Sequence, residues 1–206
     1  MDYAEVVRLA QAYADRIDVE ITSNIDSFII MAESRINRAM RVAEQTHRVY
    51  TQSIAGREYY TLPPEFNGMR VIQFNNGQVD NSEVMVIEYV TPEQLIANQS
   101  MSKTKNYYTI INNQLQFHPT LPAEGTIEMV FYRKVPNLSA ENTTNWLSLG
   151  NPDIYISAIT CEIELFVKNL EASSLWNTRM QDAIESLRTN DIDKRWTGVG
   201  LTMRIV

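Results

Sequence analysis

Few residues of this 206-residue chain have the types and spacing that catalysis requires. Its two histidines, His47 and His118, are far apart in the sequence, and no Cys/His cluster has the spacing of a zinc site. Glu162 and Glu164 lie two positions apart on a predicted helix, so they point away from each other, and each is expected to be a solvated charge. Cys161, the single cysteine, is expected to be a small buried thiol. These residues predict no catalytic site, no metal site and no cofactor.

A second group of candidates is aromatic. Tyr107, Tyr108, Phe117, Phe131 and Tyr132 fall on predicted strands. Such side chains can stack on bases or sugars, and they are also the usual content of a sheet core. The sequence leaves both roles open.

Three arginines recur along one predicted helix, at Arg35, Arg38 and Arg41. A basic strip of this kind could touch the phosphate backbone of DNA in a channel, or a neighbouring subunit. Cations late in a helix also complement its dipole and form a solvated face. The spacing favours the solvated face and keeps the strip as a candidate.

Charge is unevenly distributed along the chain. The whole chain carries a net charge of −7, whereas residues 188–206 hold four basic and two acidic side chains. The region before them, 151–187, holds two basic and six acidic side chains. The sign therefore reverses near the chain end, which is typical of a docking arm and equally typical of a solvated end.

The N-terminal region predicts two amphipathic helices. Asp2 followed by Glu5 resembles a capping box, which places the first helix at 2–17. The second helix begins after Ser23 or Asn24. Its apolar stripe consists of Ile25, Phe28, Ile29, Ala32, Ile36 and Met40.

Between residues 48 and 133 the apolar pattern changes to period two, which is typical of strands. Turn residues divide this region into hairpins, a short helix at 91–98 and a closing strand at 126–133. The hairpins pair 49–54 with 58–62, 69–74 with 83–89, and 107–111 with 114–118. About seven short strands with tight turns predict an antiparallel sandwich or a barrel-like sheet.

The remaining residues return to helical periodicity. Pro152 suits the first turn of a helix, and Asn151 or Asp153 can cap it. Helical spacing then continues, with a bend predicted at 171–174, where two serines weaken the helix. Beyond Asn190 the pattern ends, and the apolar tail is expected to be extended and to order against a partner.

Together these elements predict an α+β fold. Helices at 1–46 and 141–189 form a helical bundle, an antiparallel β domain is inserted at 47–140, and an extended docking tail follows at 190–206. The acidic N-terminus does not resemble a secretory signal, and no run of about eighteen apolar residues could cross a membrane. We therefore expect a protein without a membrane anchor.

The chain resembles a known family in five stretches taken in order. They are the predicted helix at 28–38, the segment 60–66 that contains Pro63-Pro64, the predicted hairpin at 108–119, the predicted strand and the residues that follow it at 131–139, and the junction at 145–155. Their order and spacing resemble the head-to-tail adaptor proteins of short-tailed bacteriophages, the tail tubular protein A type. The resemblance spans nearly the whole chain and leaves out the final sixteen residues.

The resemblance implies a structural protein of the virion. Members form a ring, normally of twelve copies, under the portal protein. The ring extends the DNA channel, lets double-stranded DNA pass without sequence-specific binding, and carries the tail nozzle protein. The resemblance further implies assembly in the host cytoplasm and a final place in the neck of the virion.

Two groups of residues then become candidate contacts. Loops at the ends of a β sandwich carry recognition, so the polar loop is expected to face the nozzle. This loop consists of Lys103, Thr104, Lys105 and Asn106. The tail is expected to dock on the portal. Its contact residues are Lys194, Arg195, Trp196, Leu201, Met203, Arg204 and Ile205.

Two alternatives from other classes remain. A cell-wall glycosidase carried in the virion would need two carboxyl groups that converge in a cleft. A carbohydrate-binding tail-fibre module would use the aromatic strands, although the helices at both chain ends argue against it.

Overall fold

The computed structural model describes residues 1–76, 84–99 and 105–196. Over these residues the fold mixes helices and strands, as predicted. No helix in the described ranges combines the length and apolar character that a membrane span needs.

The chain divides into two compact units. Met1–Glu44 and Val135–Val206 form the first, which we call the helical unit, and Gln45–Lys134 forms the second, the β unit. Val135 and Leu138 lie in the hydrophobic core of the helical unit. The β unit therefore ends at Lys134, earlier than the predicted boundary at 140.

The helices are numbered along the chain. They are α1 (Tyr3–Ala14), α2 (Val19–Ser23), α3 (Ile25–Ala39), α4 (Pro92–Gln99), α5 (Trp146–Gly150), α6 (Pro152–Phe166) and α7 (Leu170–Trp196). The predicted capping box at α1 is confirmed, since Asp2 and Glu5 exchange hydrogen bonds between side chain and backbone. α1 ends before the predicted limit because Asp15 adopts the left-handed conformation, with φ of 50°. Ile17 consequently lies outside the helix and is 83% exposed.

The second predicted helix is confirmed as α3. Its predicted apolar stripe, from Ile25 to Met40, is buried. The stripe packs on α6, which also contacts α1, α5 and α7. All residues of α6 from Ile154 to Glu164 are buried, as expected for a helix with neighbours on every side.

The junction before α6 contains a helix that the sequence analysis missed. α5 is one short turn, and Asn145 and Ser148 form a capping box at its start. Pro152 lies in the first turn of α6, as predicted. Asn151 occupies the N-cap position, but its side chain makes no capping hydrogen bond.

Two predictions about the C-terminal helices are wrong. The chain bends at Val167–Asn169, where Lys168 has a left-handed φ of 61°, rather than at 171–174. α7 then runs without a break to Trp196, so residues 190–196 are helical rather than extended. The helix continues beyond Asn190 because Asp191 is buried and its carboxylate accepts a hydrogen bond from the backbone N–H of Ala43.

The described strands of the β unit form two four-stranded sheets. The first sheet has the order β1 (Thr46–Gln52), β8 (Thr126–Arg133), β3 (Phe66–Asn75), β4 (Val84–Val86). The second has the order β2 (Tyr59–Thr61), β7 (Gln114–His118), β6 (Tyr107–Ile111), β5 (Glu88–Tyr89). Each sheet has two edge strands, so the described strands form no closed barrel. β5 pairs with β6 in parallel, since α4 lies between them in the chain.

One of the three predicted hairpins is confirmed and a second is confirmed in part, because Glu88 and Tyr89 of its predicted second strand pair with β6 instead. β3 pairs with β4, and β6 pairs with β7 through a turn in which Asn112 and Asn113 have positive φ. The hairpin predicted around Gly56 is wrong, because β1 pairs with β8 and β2 pairs with β7 in the other sheet. The turn at Gly56, with φ of 73°, carries the chain from one sheet to the other.

Both sheets contribute to one hydrophobic core. It includes Phe74 and Phe131 from the first sheet and Leu115 and Phe117 from the second. Tyr108 also lies in this core. Three of the five candidate aromatic residues are therefore core residues rather than an exposed stacking surface.

Candidate functional site

A buried carboxylate organises the middle of the helical unit. Glu33 of α3 is only 4% exposed, and its Oε1 accepts hydrogen bonds from the backbone N–H of Leu138 (2.7 Å) and the hydroxyl of Tyr155 (3.0 Å). Asn145 Nδ2 donates to the Tyr155 oxygen (2.8 Å) and to the carbonyl of Pro136 (2.6 Å). We call these residues the Glu33 cluster.

A second bond from α3 reinforces the Glu33 cluster. Asn37 lies one turn after Glu33 on the same face of α3, and its Oδ1 accepts from the backbone N–H of Val135 (2.8 Å). The two side chains therefore bind the start of the segment 135–145, at Val135 and Leu138. This segment is where the chain returns from the β unit.

Burial determines the electrostatics of the Glu33 cluster. It raises the pKa of Glu33, and the bonds from Leu138 and Tyr155 oppose that rise. The pKa of Tyr155 is also raised, first by burial and then by the Glu33 charge. Tyr155 thus stays protonated and acts as a donor to Glu33.

The cluster borders a surface groove of about 320 Å³. The residues that line it include Asp26, Glu33 and Glu141. Asp26 Oδ1 accepts from the hydroxyl of Tyr3 (2.7 Å). Burial, together with this bond and the Asp26 charge, raises the pKa of the Tyr3 phenol to about 12. Because Glu33 Oε1 is already bound to the chain's own backbone, the geometry assigns it a structural role.

The arginine candidates do not form one strip. Arg35 Nη2 lies 2.6 Å from Glu162 Oε1, and its Nη1 donates to Asn177 (3.1 Å), so this guanidinium joins α3, α6 and α7. Arg41 donates to the carbonyls at the end of α3. Arg38 is exposed. The structure therefore separates the three side chains.

The carboxylates of α6 differ from prediction in one respect. Glu162 and Glu164 have different partners, Arg35 and Asn169, which agrees with their opposed directions. Both are buried, however, so the prediction of solvated charges is wrong. Cys161 is buried as predicted, and burial raises the pKa of its thiol.

The end of α7 borders a second groove. Its volume is about 520 Å³. It is lined by Glu44, Trp146, Gly150, Asn151, Leu187, Asn190, Asp193 and Lys194. We call it the α5–α7 groove.

Two contacts hold the last turns of α7 in place. Asp191 Oδ2 accepts from the backbone N–H of Ala43 (3.1 Å), and Lys194 Nζ lies 4.0 Å from Glu44 Oε1. Lys194 therefore belongs to the helical unit rather than to an extended arm. For each of the other candidate tail residues, either the whole residue or its side chain lies outside the described part of the chain. They are Arg195, Trp196, Leu201, Met203, Arg204 and Ile205.

The candidate loop of the β unit is described only in part. Lys103 and Thr104 lie outside the described residues. Lys105 Nζ lies 3.9 Å from Glu88, and Asn106 Nδ2 donates to the Met85 sulfur (3.4 Å). These two residues therefore lie beside β4 and β5.

Large apolar side chains are exposed on both units. In the helical unit they include Tyr13, Val19, Leu170 and Leu175, and in the β unit Tyr50, Val84 and Val86. The apolar periodicity of the sequence does not distinguish these exposed side chains from core residues. In the parts of the chain that the structure describes, no three His, Cys, Asp or Glu side chains are grouped for a metal ion.

The fold and the cluster define a class of protein. Helices from both chain ends build one unit, a β unit is inserted between them, and buried carboxylates bind the chain's own groups. Residues 1–204 match the family model of the SU10 adaptor protein, so the chain belongs to that family. This confirms the resemblance to phage head-to-tail adaptors and identifies a phage structural adaptor protein, with a place in the virion neck. A comparison with curated proteins finds no match.

Proposed function

We propose that this chain forms a ring of twelve copies under the portal protein, extends the DNA channel and provides the platform for the tail nozzle. The observation that carries the proposal is the adaptor-family match over residues 1–204. In this proposal the β unit is a sandwich and the helices form a bundle around α6.

Exposed apolar groups support assembly by the helical unit. A closed ring needs two different faces on each subunit. Val19 is 85% exposed beside the end of α1, and Leu170 is 70% exposed at the start of α7. These positions lie on separate elements, so they can serve two different faces.

The charge of the chain supports a passive DNA channel. A net charge of −7 per chain gives a ring of twelve a charge on the order of −80. A wall of this sign repels phosphates, so that DNA slides without binding. Arg35 adds little attraction, because Glu162 already neutralises it.

The contact residues are assigned in two groups. The loop Lys103, Thr104, Lys105 and Asn106 faces the nozzle. The portal contact begins after α7, because residues 190–196 are part of that helix. It includes the tail residues Leu201, Met203, Arg204 and Ile205.

Binding assays with the two partners test this assignment. We expect a chain truncated after Trp196 to fold, since the Asp191 contact to Ala43 is kept, and to fail to co-sediment with portals. Lys103→Glu combined with Lys105→Glu should weaken nozzle binding and leave portal binding unchanged. Equal loss of both interactions in the loop variant, or normal portal binding by the truncated chain, would contradict the assignment.

The glycosidase alternative has one structural observation in its favour, the groove that Asp26, Glu33 and Glu141 line. A direct assay decides it. We expect no release of soluble fragments from purified peptidoglycan by the full chain. Hydrolysis that is lost in Glu33→Gln and kept in Arg38→Gln would replace the structural role of Glu33 with a catalytic one.

A further inference from the structure

One edge of the β unit is long and unprotected. Among the described strands, β1 pairs only with β8, over seven residues and in a register without a shift. The other edge strands described, β2, β4 and β5, have three, three and two residues. Proteins usually protect an edge with a short strand, a bulge, a proline or a lysine, because unpaired backbone groups recruit another strand. β1 has none of these, and its one charged side chain, Arg48, is drawn back toward Glu128 of β8 (Nε to Oε1, 2.9 Å).

Hydrogen bonds determine which backbone groups of β1 point outward. The N–H of Ser53, directly after β1, donates to the carbonyl of Gly125, directly before β8 (2.9 Å). In an antiparallel ladder such bonds recur at every second residue. The backbone N–H and C=O groups directed away from β8 are therefore those of Thr46, Arg48, Tyr50 and Gln52.

The opposite edge of the same sheet is β4. The N–H of Ile87 donates to the carbonyl of Ile72 (3.0 Å) and continues the ladder between β3 and β4. By the same alternation, Val84 and Val86 direct their backbone groups away from β3. Open space of about 210 Å³ borders this edge, in a groove lined by Met85, Val86, Glu88, Lys105 and Asn106.

Exposed apolar side chains lie at both edges and on one face of the sheet. Tyr50 pairs with Glu128, which pairs with Gln73 of β3. Gln73 in turn pairs with Val86, so Tyr50 and Val86 end one row across the sheet and share a face. Tyr50 is 59% exposed and Val86 is 61% exposed, and Val84 is exposed on the same face. The two middle positions of the row are polar.

We propose that β4 of one copy pairs with β1 of a second copy, so that the first sheet continues from subunit to subunit. This inference rests on the proposed ring and names one of its interfaces. β1 and β3 run in the same direction, and β4 runs opposite to both. Neighbours in a ring of many copies keep nearly the same strand direction, so β4 meets β1 antiparallel. Tyr50 then lies opposite a valine, which is a favourable cross-strand pair.

The two edges fit each other in three respects. The residues with outward backbone groups carry their side chains on the same face at both edges, so that pairing them continues that face. Val49 and Met85, on the other face of β1 and β4, both pack against the core, so core side meets core side. The edges are also unlike, as a closed ring requires, whereas pairing of β1 with another β1 would stop at a dimer.

Engineered disulfides in the full chain test this pairing. Tyr50→Cys combined with Val86→Cys can join neighbouring copies, because directly paired residues have Cα atoms about 5.5 Å apart. Within one copy the two positions are separated by three strand spacings of ~4.8 Å, too far for a disulfide. After oxidation of rings assembled on portals, we expect covalent oligomers well beyond the dimer on a non-reducing gel. Val84→Cys in place of Val86→Cys covers the register shifted by two residues.

Tyr50→Cys combined with Val71→Cys is the matched control. Val71 is also exposed and lies on the same face, but on the central strand β3, so this pair should give no oligomers. Hydrogen exchange of the unmodified protein gives a second measurement that needs no substitution. The Tyr50 amide should exchange at least about tenfold more slowly in the ring than in dilute protein without portal. The Thr51 amide, which already bonds to β8, should change little.

Three results would overturn this inference while the ring stands. One is rings that give no covalent oligomers with either valine variant. Another is unchanged exchange of the Tyr50 amide on ring formation. The last is covalent dimers from Tyr50→Cys alone, which would show that β1 pairs with β1. Absence of rings from the unmodified protein would instead contradict the proposed function, and this interface with it.

Discussion

The two units bury different kinds of side chain. In the helical unit Glu33, Glu162, Glu164 and Asp191 are buried, and each accepts a hydrogen bond from elsewhere in that unit. Among the described residues of the β unit, no charged side chain is buried. Its core is apolar and aromatic.

This difference follows from how each kind of element is held. Neighbouring strands are fixed in register by their backbone ladders, so a sheet core needs only well-packed apolar groups. Helices satisfy their own backbones and can rotate or slide against one another. In the helical unit the bonds of Glu33, Glu162 and Asp191 fix how the helices and segments pack, because they join parts of the chain that are distant in the sequence.

The largest expected effect is in the β unit. Phe131 is fully buried, with ring contacts to His47 and Phe66, so Phe131→Ala should lower the free energy of unfolding by about 3–5 kcal/mol. Urea denaturation followed by circular dichroism measures this. Ile96→Ala, at a side chain that is 67% exposed, is the control and should change stability by less than about 0.5 kcal/mol. Comparable losses in both variants would show that the β unit is not held by its core.

The next effect concerns a buried ion pair of the helical unit. Arg35→Met leaves Glu162 buried and unpaired, and should cost about 2–4 kcal/mol. Adding Glu162→Leu should restore part of that loss, because no charge then remains buried. A double-mutant cycle in urea measures the coupling. Strictly additive losses would mean that the pair does not specify the packing of α3 on α6.

The smallest effect is a pH dependence at Glu33. Because its pKa is raised, the folded protein keeps a proton on Glu33 at pH values where the unfolded chain has released it. The stability from this carboxyl is therefore complete below its unfolded pKa of about 4.3 and declines as pH rises through the folded pKa. The stability of the wild type relative to Glu33→Gln should fall over that range. Glu141→Gln is the control at an exposed carboxyl, and parallel pH profiles for all three proteins would contradict the assignment.

Local signals predicted part of this structure well. The apolar stripe of α3, the Asp2 capping box and the Asn112-Asn113 turn each depend on neighbouring residues, so periodicity and turn chemistry were sufficient. The hairpin predicted around Gly56 failed because turn residues do not reveal which strand a chain will pair with. Pairing across different sheets is decided by contacts between distant residues.

The Glu33 cluster could not be predicted for a related reason. A glutamate on an amphipathic helix is usually exposed, and nothing next to Glu33 identifies Leu138 or Tyr155 as its partners. Three of the stretches that carried the family resemblance, however, include the residues of the cluster, namely 28–38, 131–139 and 145–155. The resemblance thus pointed to the right residues without showing how they meet.

An electron microscopy reconstruction of the purified protein bound to its portal tests the proposed function most directly. We predict a ring of twelve copies under the portal in which the Lys105 loop makes no contact with the portal. Absence of a ring, or a ring in which the Lys105 loop contacts the portal, would contradict the proposal.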